Sequence, residues 1–543
     1  MSTSLDRGKA CVRCRGRKMK CDGIRPTCGQ CVRAHETECE YTDAGPAPSQ
    51  ILDRKVAALE ARIRQLDEQN SASVTLHNPY PRDNSQSRRA SPADGGRSHQ
   101  ASLALLHSFL DHAEAFGFFL HRHRFIDDLA RRGTTAGLPL VLVHAAQLVG
   151  LLFVQDQNLR MQEAQIYNRA TQWRSHAMSN VDPTTVLYLL QAEVLLANYF
   201  LYKGNDINAT QHITAASSIA VTCSLYKIQP HARTQGSAVG GPNAQYQLLP
   251  AVDAVEQGER INAFWTIFSL DSCLSERLRI PESVLVRDSI TGQTVTPWPL
   301  AMKDYERGEI PPPAGGNALW TIRALMENPA AIGENNRCSL AVRAKVSVLY
   351  EKAVVLVKQG PNAQYATAAA SLLAQIEHIK RYIPSLPSNA PTTSEEIDHV
   401  RSILIVDALV HCSIITICTP QRLHFDLVGS HAILAANAVA NKLRYSTNTP
   451  YPVIQLLGHV EPLQIILWAK VAAILVDGIR GARHVARSRG QPTLSIPGIG
   501  TARNSFQSIG DALNTLRASN ASVLLDREFQ GLHAVRNEIF KND

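Results

Sequence analysis

Apolar residues along this chain fall into distinct regimes. From about Ser102 onward they recur at three and four residues almost without a break, as in Leu187, Leu190, Val194, Ala197 and Leu201. That period gathers them on one helix face. No alternating run of the kind a half-buried strand needs persists, and Ala and Leu abound. The pattern predicts one large all-α domain over residues 102–543, with about twenty helices at ordinary helix lengths. A shorter periodic stretch lies upstream, in residues 51–69. There Leu52, Val56, Leu59, Ile63 and Leu66 are spaced 4, 3, 4 and 3, which is a heptad seam. Residues 70–101 lose all periodicity and are dominated by Ser, Pro, Asn, Gly and Arg, so they read as a disordered linker. Residues 44–50, rich in proline and small side chains, read as a second, shorter linker.

The charges beside the heptad seam sharpen its reading. Lys55 falls at g and Glu60 at the following e; Arg62 falls at g and Asp67 at the following e. In a parallel dimer each g residue faces the partner's next e residue, so both pairs attract. Residues 51–69 therefore read as a short parallel coiled-coil dimerisation helix. The alternative is an amphipathic helix that packs on the large domain.

Hydrophobic residues make up 45% of the chain, enough for a substantial core, and the net charge is +8. Residues 1–43 hold nine Lys or Arg against six acids, and residues 44–100 hold eight against six. The rest is close to neutral, so positive charge is densest at the N-terminus, where a polyanionic partner would be met.

That same end carries six cysteines, Cys11, Cys14, Cys21, Cys28, Cys31 and Cys39, with intervals of 2, 6, 6, 2 and 7 residues between them. They read as two similar halves, each opening with C-x-x-C. A tetrahedral zinc takes four ligands, thiolates among the best. Two separate zinc ions would need more thiolates than are present, and His35 is the only histidine in the block. The count closes if two thiolates each bridge both metals. A segment this short buries too little to fold alone, so metal would supply its folding energy. A disulfide knot would need an oxidising compartment, and Met1–Lys9 has no apolar signal region. Metal storage would not call for the basic residues that follow. Arg7, Lys9, Arg13, Arg15, Arg17, Lys18 and Lys20 have no acid among them. Such a surface suits phosphate, and Arg or Lys can donate to guanine O6 and N7 in the major groove.

The run A-C-V-R-C-R-G-R-K-M-K-C-D-G-I-R-P-T-C-G-Q-C (residues 10–31) resembles the fungal six-cysteine binuclear zinc cluster of transcription factors. The resemblance implies two zinc ions per chain, with Cys11 and Cys28 bridging the metals and Cys14, Cys21, Cys31 and Cys39 completing the ligand set. It implies a short helix in each half, the end of the first reading a CGG-type triplet in double-stranded DNA. Lys18 would be the main base-contacting side chain, helped by the backbone of Arg17, with Arg15 and Lys20 on phosphates. Pro26 fits the rigid turn between the halves. Cluster, linker and coiled coil together would fix the spacing of two triplets bound by a homodimer in the nucleus.

A second resemblance covers residues 116–299. F-G-F-F-L-H-R-H-R-F (116–125), L-Q-A-E-V-L-L-A-N-Y-F-L-Y-K-G-N (190–205) and E-R-I-N-A-F-W-T-I-F-S-L-D-S-C-L-S-E-R-L-R-I-P (259–281), followed by T-P-W-P (296–299), are similar to the middle homology region of fungal transcription factors, a helical regulatory domain. Within it Phe264, Phe268 and Asp271 share a stripe. A carboxylate on a core face needs a partner, which Arg277 or Arg279 would supply if the chain folds back; the alternative is a contact to an effector. Trp265 reads as core. Residues 229–257 form a Gly/Pro/Gln-rich insertion that reads as a surface loop.

The remaining cysteines, Cys223, Cys273, Cys338, Cys412 and Cys418, lie in apolar surroundings and read as buried free thiols, in keeping with nucleus or cytosol. Leu138–Val154 is the most apolar run, yet it includes Pro139, His144 and Gln147 and is too short to span a membrane. Arg88-Arg89-Ala90-Ser91-Pro92 resembles a kinase target at Ser91. No P-loop, G-x-S-x-G or H-E-x-x-H motif occurs, so the chain does not read as an enzyme; the family resemblance implies a regulator of RNA polymerase II genes. The family resemblance favours an activator. The C-terminus is not an acidic activation tail, which leaves a DNA-tethered ligand receptor or partner-binding repressor as the alternative. A small-molecule effector or a co-regulator would then act on the helical domain.

Overall fold

Cysteines open both helices of the N-terminal unit: Cys11 precedes α1 (Val12–Gly16) and Cys28 precedes α2 (Gly29–Arg33). The structure, a computed structural model, describes residues 10–35, 39–41, 92–136, 139–179, 185–229, 248–277, 283–312, 320–328, 336, 338–360, 364–419, 427–444 and 451–541. The chain divides into two units, Met1–Ser91 and Pro92–Asp543. The expected coiled coil (51–69), the linker 44–50 and Ser91 lie outside the described residues, as does most of the 229–257 insertion.

The second unit contains helices and loops, with no strand among the described residues. Its helices of ten residues or more are α3 (Pro92–Leu110), α4 (Arg122–Ala136), α5 (Leu140–Leu151), α6 (Glu163–Ser179), α7 (Val186–Tyr202), α8 (Asp206–Thr222), α9 (Ala254–Arg277), α10 (Ser339–Lys358), α11 (Tyr365–Lys380), α12 (Ser394–Cys418), α13 (His431–Leu443), α14 (Pro462–Ser488), α15 (Ile499–Ser519) and α16 (Val523–Phe540). Local chemistry sets several starts. Thr393 and Glu396 form a capping box at α12. Asn205 and Ser522 cap α8 and α16 with side-chain oxygens. Pro462 opens α14, where its missing N–H costs nothing.

One continuous apolar core runs through this unit. In one part α7 packs on α8 and α5, and α5 packs on α3 and α6; in another α12 packs on α10, α13 and α14, with α15 and α16 closing over α13 and α14. Helix α9 joins them through α8 and α10. The stripe Leu187–Leu201 is buried as expected, but α7 is buried on nearly every side, because neighbours cover it all round. Its polar residues are used internally. Glu193, fully buried, takes Arg174 Nε at 2.5 Å and His212 Nδ1 at 2.7 Å.

Residues 92–101, expected in the disordered linker, are helical as the start of α3. Pro92 and the Gly95-Gly96 pair read as breakers, yet proline is compatible with a helix's first turn. The far half of α3 buries Leu105, Leu106, Phe109 and Leu110. It approaches α5 so closely that a Cβ on Gly150 would lie 2.0 Å from the Leu105 carbonyl oxygen.

The motif at 116–121 is held by buried side chains from two helices. Gln191 Oε1 accepts from Phe119 N at 2.7 Å, Asn198 Nδ2 donates to Phe116 O at 3.0 Å, and Glu259 Oε1 accepts from His121 N at 2.7 Å. These bonds satisfy a loop backbone that lies away from water. Gly117, at φ +75°, turns the chain against α7.

Asp271 is buried but is not paired as expected. Its carboxylate accepts from the Ser283 hydroxyl, while Oδ1 lacks a partner. Arg277 instead pairs with Glu528 of α16 at 2.5 Å, because α16 packs near enough to claim it; Arg279 lies outside the described residues. Burial pushes Asp271 up to about 6. Trp265 is core: its Nε1 donates to Pro297 O at 2.7 Å and its ring stacks on Trp298 at 4.4 Å.

Two helices have the length and apolarity to cross a membrane, α12 and α14; the Leu138–Val154 run forms the shorter apolar helix α5. Their apolar windows are 94% and 72% buried inside this unit, which makes them core helices. All five C-terminal cysteines are free thiols; Cys223, Cys273 and Cys412 are buried, Cys338 and Cys418 half-buried. The end of α16 is clamped by two buried arginines. Arg483 Nη2 donates to Ile539 O at 2.9 Å, and Arg503 Nη2 to Lys541 O at 2.6 Å. They satisfy carbonyls that a helix end leaves open.

Candidate metal centre and nucleic-acid interface

The two helices of the N-terminal unit turn their cysteines toward a common point. Each starts just after one cysteine and carries the next a turn later, so Cys11 and Cys14, and likewise Cys28 and Cys31, project the same way. The Sγ atoms of Cys11 and Cys28 lie 3.8 Å apart, Cys11 and Cys31 3.8 Å, and Cys14 and Cys28 3.6 Å. Two groups of four thiols result: Cys11, Cys14, Cys21 and Cys28, and Cys11, Cys28, Cys31 and Cys39. Within each, all sulfurs lie within 4.8 Å of one another. Cys11 and Cys28 belong to both.

This donor set fits zinc. A tetrahedron with Zn–S bonds of about 2.3 Å has S–S edges of about 3.8 Å. The observed separations match that edge, whereas a disulfide would bring two sulfurs to about 2.05 Å. Crowded thiols also oppose one another's ionisation. The Cys31 thiol is pushed up to about 12, first by its contact with Cys28 and then by burial. Metal is what allows such thiols to be thiolates together.

Helix α1 ends in an unusual way. Lys18, just beyond the Arg17 cap, is left-handed at φ +52°. Its N–H donates to Arg15 O at 3.2 Å and that of Met19 to Cys14 O at 2.9 Å. This double bond pattern is a Schellman ending, whose left-handed position glycine normally fills. His35 repeats the feature after α2, at φ +50°. Arg15, Arg17, Lys18 and Lys20 are all exposed, on the helix end and the strip that follows it. The Arg15 guanidinium also reaches Ala10 O at 3.2 Å. The Arg25–Pro26 peptide is cis.

Two residues of this unit escaped the sequence reading. Asp22, part of the K-C-D run, takes the Gly29 N–H on both carboxylate oxygens at 2.9 and 3.0 Å, at the start of α2. It thereby neutralises the positive end of the second helix and ties the two halves together. A Cβ on Gly29 would lie 2.4 Å from Asp22 Oδ2. Tyr41 donates to Ile24 O at 2.9 Å beneath the Arg25 guanidinium. Val12 N donates to Glu40 O at 2.9 Å. The segment that leaves the cluster is thus fastened to both halves.

Comparison with known proteins agrees with this geometry. Residues 9–47 match the fungal Zn(2)-Cys(6) binuclear cluster domain, and residues 106–293 match the fungal specific transcription factor domain. The transcriptional activator protein acu-15 of Neurospora crassa is 45% identical over 64 residues, 11% of this chain and 7% of that protein. The zinc finger transcription factor YRR1 of Saccharomyces cerevisiae is 31% identical over 83 residues, 13% of this chain and 10% of that protein. The citrinin biosynthesis transcriptional activator mrl3 of Monascus ruber is 24% identical over 324 residues, 50% of this chain and 60% of that protein. This chain therefore spans a tenth or less of the first two and somewhat over half of the third. No solved structure matches.

Proposed function

We propose that this chain, a fungal zinc-cluster transcription regulator with two zinc ions in its DNA-binding unit, acts in the nucleus as a homodimeric activator that reads paired CGG-type triplets. The observation that carries the reading is the pair of four-thiol groups sharing Cys11 and Cys28, with an exposed cationic helix end beside them. In this assignment Cys11 and Cys28 bridge the metals, and Cys14, Cys21, Cys31 and Cys39 are terminal ligands. The zinc ions crosslink two helices that have no other core. Lys18 donates to guanine O6 and N7 in the major groove, with the Arg17 backbone at its side. Arg15 and Lys20 hold phosphates and set the register. The seam of Leu52, Val56, Leu59, Ile63 and Leu66 pairs two chains and fixes the half-site spacing. The helical domain governs output.

The test is an oligonucleotide selection with the zinc-loaded chain. Enrichment of paired CGG-like triplets at one spacing is expected. Single triplets would overturn the homodimer, and no enrichment would overturn sequence reading by this unit. Lys18→Ala should cost about 1–3 kcal/mol on the selected site; an equal loss on random DNA would refute a base contact. Fusing residues 102–543 to an unrelated DNA-binding domain beside a reporter separates activator from repressor.

A further inference from the structure

A groove of about 330 Å³ opens on the helical unit between the end of α13, the short helix Val453–Leu457 and one face of α15. Its volume is in the range of small-molecule sites. From α15 it is lined by Asn504, Ser508, Asp511 and Thr515. These recur at four, three and four residues, which places them on one side of the helix. Val453, Ile454 and Ala512, all buried, give the groove an apolar part.

Two opposite charges line this groove without meeting. Arg444 is anchored through Nε, which donates to Ser508 Oγ at 2.7 Å. That leaves its Nη edge, the one that grips a carboxylate with two parallel bonds, turned to no protein acceptor among the described residues. Asp511 accepts from Gln507 Nε2 at 2.6 Å. Arg536 stops at Gln507 Oε1, 3.3 Å away, and does not pair with Asp511. Neither Arg444 nor Asp511 makes an ion pair among the described residues. Ser508, which holds the guanidinium, and Asp511 are three residues apart, a rise of about 4.5 Å along α15. An anion on Arg444 and a cation on Asp511 would therefore be close neighbours.

This pairing narrows the ligand. The lining holds one carboxylate and no His or Cys among the described residues, too few donors for a structural metal ion. It holds one cation, too few for a nucleic-acid backbone, whose binding draws on several. A simple anion on Arg444 would face the Asp511 carboxylate, and a simple cation on Asp511 would face the guanidinium. A zwitterion whose two charges sit on adjacent atoms of one small molecule meets both, and an apolar tail on it meets Val453, Ile454 and Ala512.

We propose that this groove binds an apolar α-amino acid, with its carboxylate on Arg444, its ammonium group on Asp511 and its side chain against Val453, Ile454 and Ala512. The bound molecule would join the end of α13 and the short helix Val453–Leu457 to α15. The inference deepens the regulatory reading of the helical domain, and the two fail separately: binding to the purified chain tests the groove, while the reporter fusion tests regulation.

The experiment is thermal unfolding of the full zinc-loaded chain by tryptophan fluorescence at pH 7 and constant ionic strength, with L-leucine as the probe. It is compared with 4-methylpentanoate and 3-methylbutylammonium, which keep the leucine side chain but carry only the negative or only the positive charge. A saturable upward shift with leucine is expected, half-complete on the order of 1 mM, the range open to so few heavy atoms. Either analogue should need at least about tenfold more, since each leaves one protein charge facing nothing. Arg444→Gln and Asp511→Asn should each abolish the leucine shift. Both residues are exposed, so both variants should melt as the parent does without ligand. A shift of equal size and midpoint with either analogue, its persistence in either variant, or no saturable shift with leucine would overturn the proposal.

Discussion

Replacing Asp271 by Asn should stabilise the helical unit at neutral pH, although it removes a buried charged residue. Asp271 sits on α9 at 1% exposure, with the Ser283 hydroxyl donating to one oxygen. The nearby Ser217 hydroxyl offsets the burial only in part, and Oδ1 has no hydrogen-bond partner. No cation among the described residues pairs with the carboxylate. Burial therefore raises its pKa from 3.8 to about 6. The sign follows from proton binding: the folded state holds this proton more tightly than the unfolded chain, so stability is lost as pH rises from about 4 through 6. The full loss, present above pH 6, is about 3 kcal/mol at 1.36 kcal/mol per pKa unit. Asn has the shape of the protonated acid, can still accept from Ser283, and can donate its amide to Ser217. The assay is urea unfolding followed by tryptophan fluorescence, which reports only this unit because residues 1–91 contain no tryptophan. The difference between variant and parent should grow from below about 1 kcal/mol near pH 4 to about 3 kcal/mol at pH 7. A difference independent of pH, or a variant less stable than the parent at pH 7, would show that the ionised carboxylate has a compensating partner and would refute the reasoning.

Other expectations concern the N-terminal unit. Lys18→Gly should remove a left-handed strain of about 1 kcal/mol while deleting the proposed base contact, so resistance to zinc chelation rises as affinity for the selected site falls. If both fall together, the backbone is not strained there. Gly29→Ala should displace the Asp22 carboxylate and cost about 0.5–2 kcal/mol of the kind lost with a helix cap, read as easier zinc release; unchanged release would deny Asp22 that role. Cys28→Ser should reduce bound zinc, counted by elemental analysis, by more than Cys39→Ser does, since Cys28, unlike Cys39, is assigned to both metals. Equal losses would argue against bridging. Chelating zinc should abolish DNA binding yet leave tryptophan-monitored unfolding unchanged, because the helical unit has its own core.

The parts legible from sequence are those where a count or a period is the physics. Zinc coordination depends on how many thiols there are and how far apart, so the two-metal grouping around Cys11 to Cys39 could be expected before any geometry. Helical periodicity likewise marked α7 and α9. What stayed hidden depends on contacts between distant segments. Arg277 lies one and a half turns from Asp271, yet α16 claims it through Glu528. The burial of α7 on nearly every side reflects helices that its own pattern does not mention. The left-handed Lys18 is a residue type that gives no local signal for that conformation, since glycine is the usual choice. Asp22 was visible as part of a motif, but its bond to Gly29 N requires the fold. Pro92 and two following glycines concealed a helix start because composition weighs breakers without knowing where in a helix they fall.

The arginine clamp on helix α16 has a practical consequence for testing the proposed function by truncation. Arg483 and Arg503 point inward and are satisfied by the main chain of residues 538–541. Deleting those few residues would strand two guanidinium groups in the interior, where an unmatched charge is costly. A deletion series run inward from the last residue would then lose reporter output at its first step. That loss would record collapse of the scaffold, and it would be mistaken for removal of a segment that contacts the transcription machinery. Internal substitutions on exposed faces, with the clamped end kept intact, are the safer way to find where output is generated.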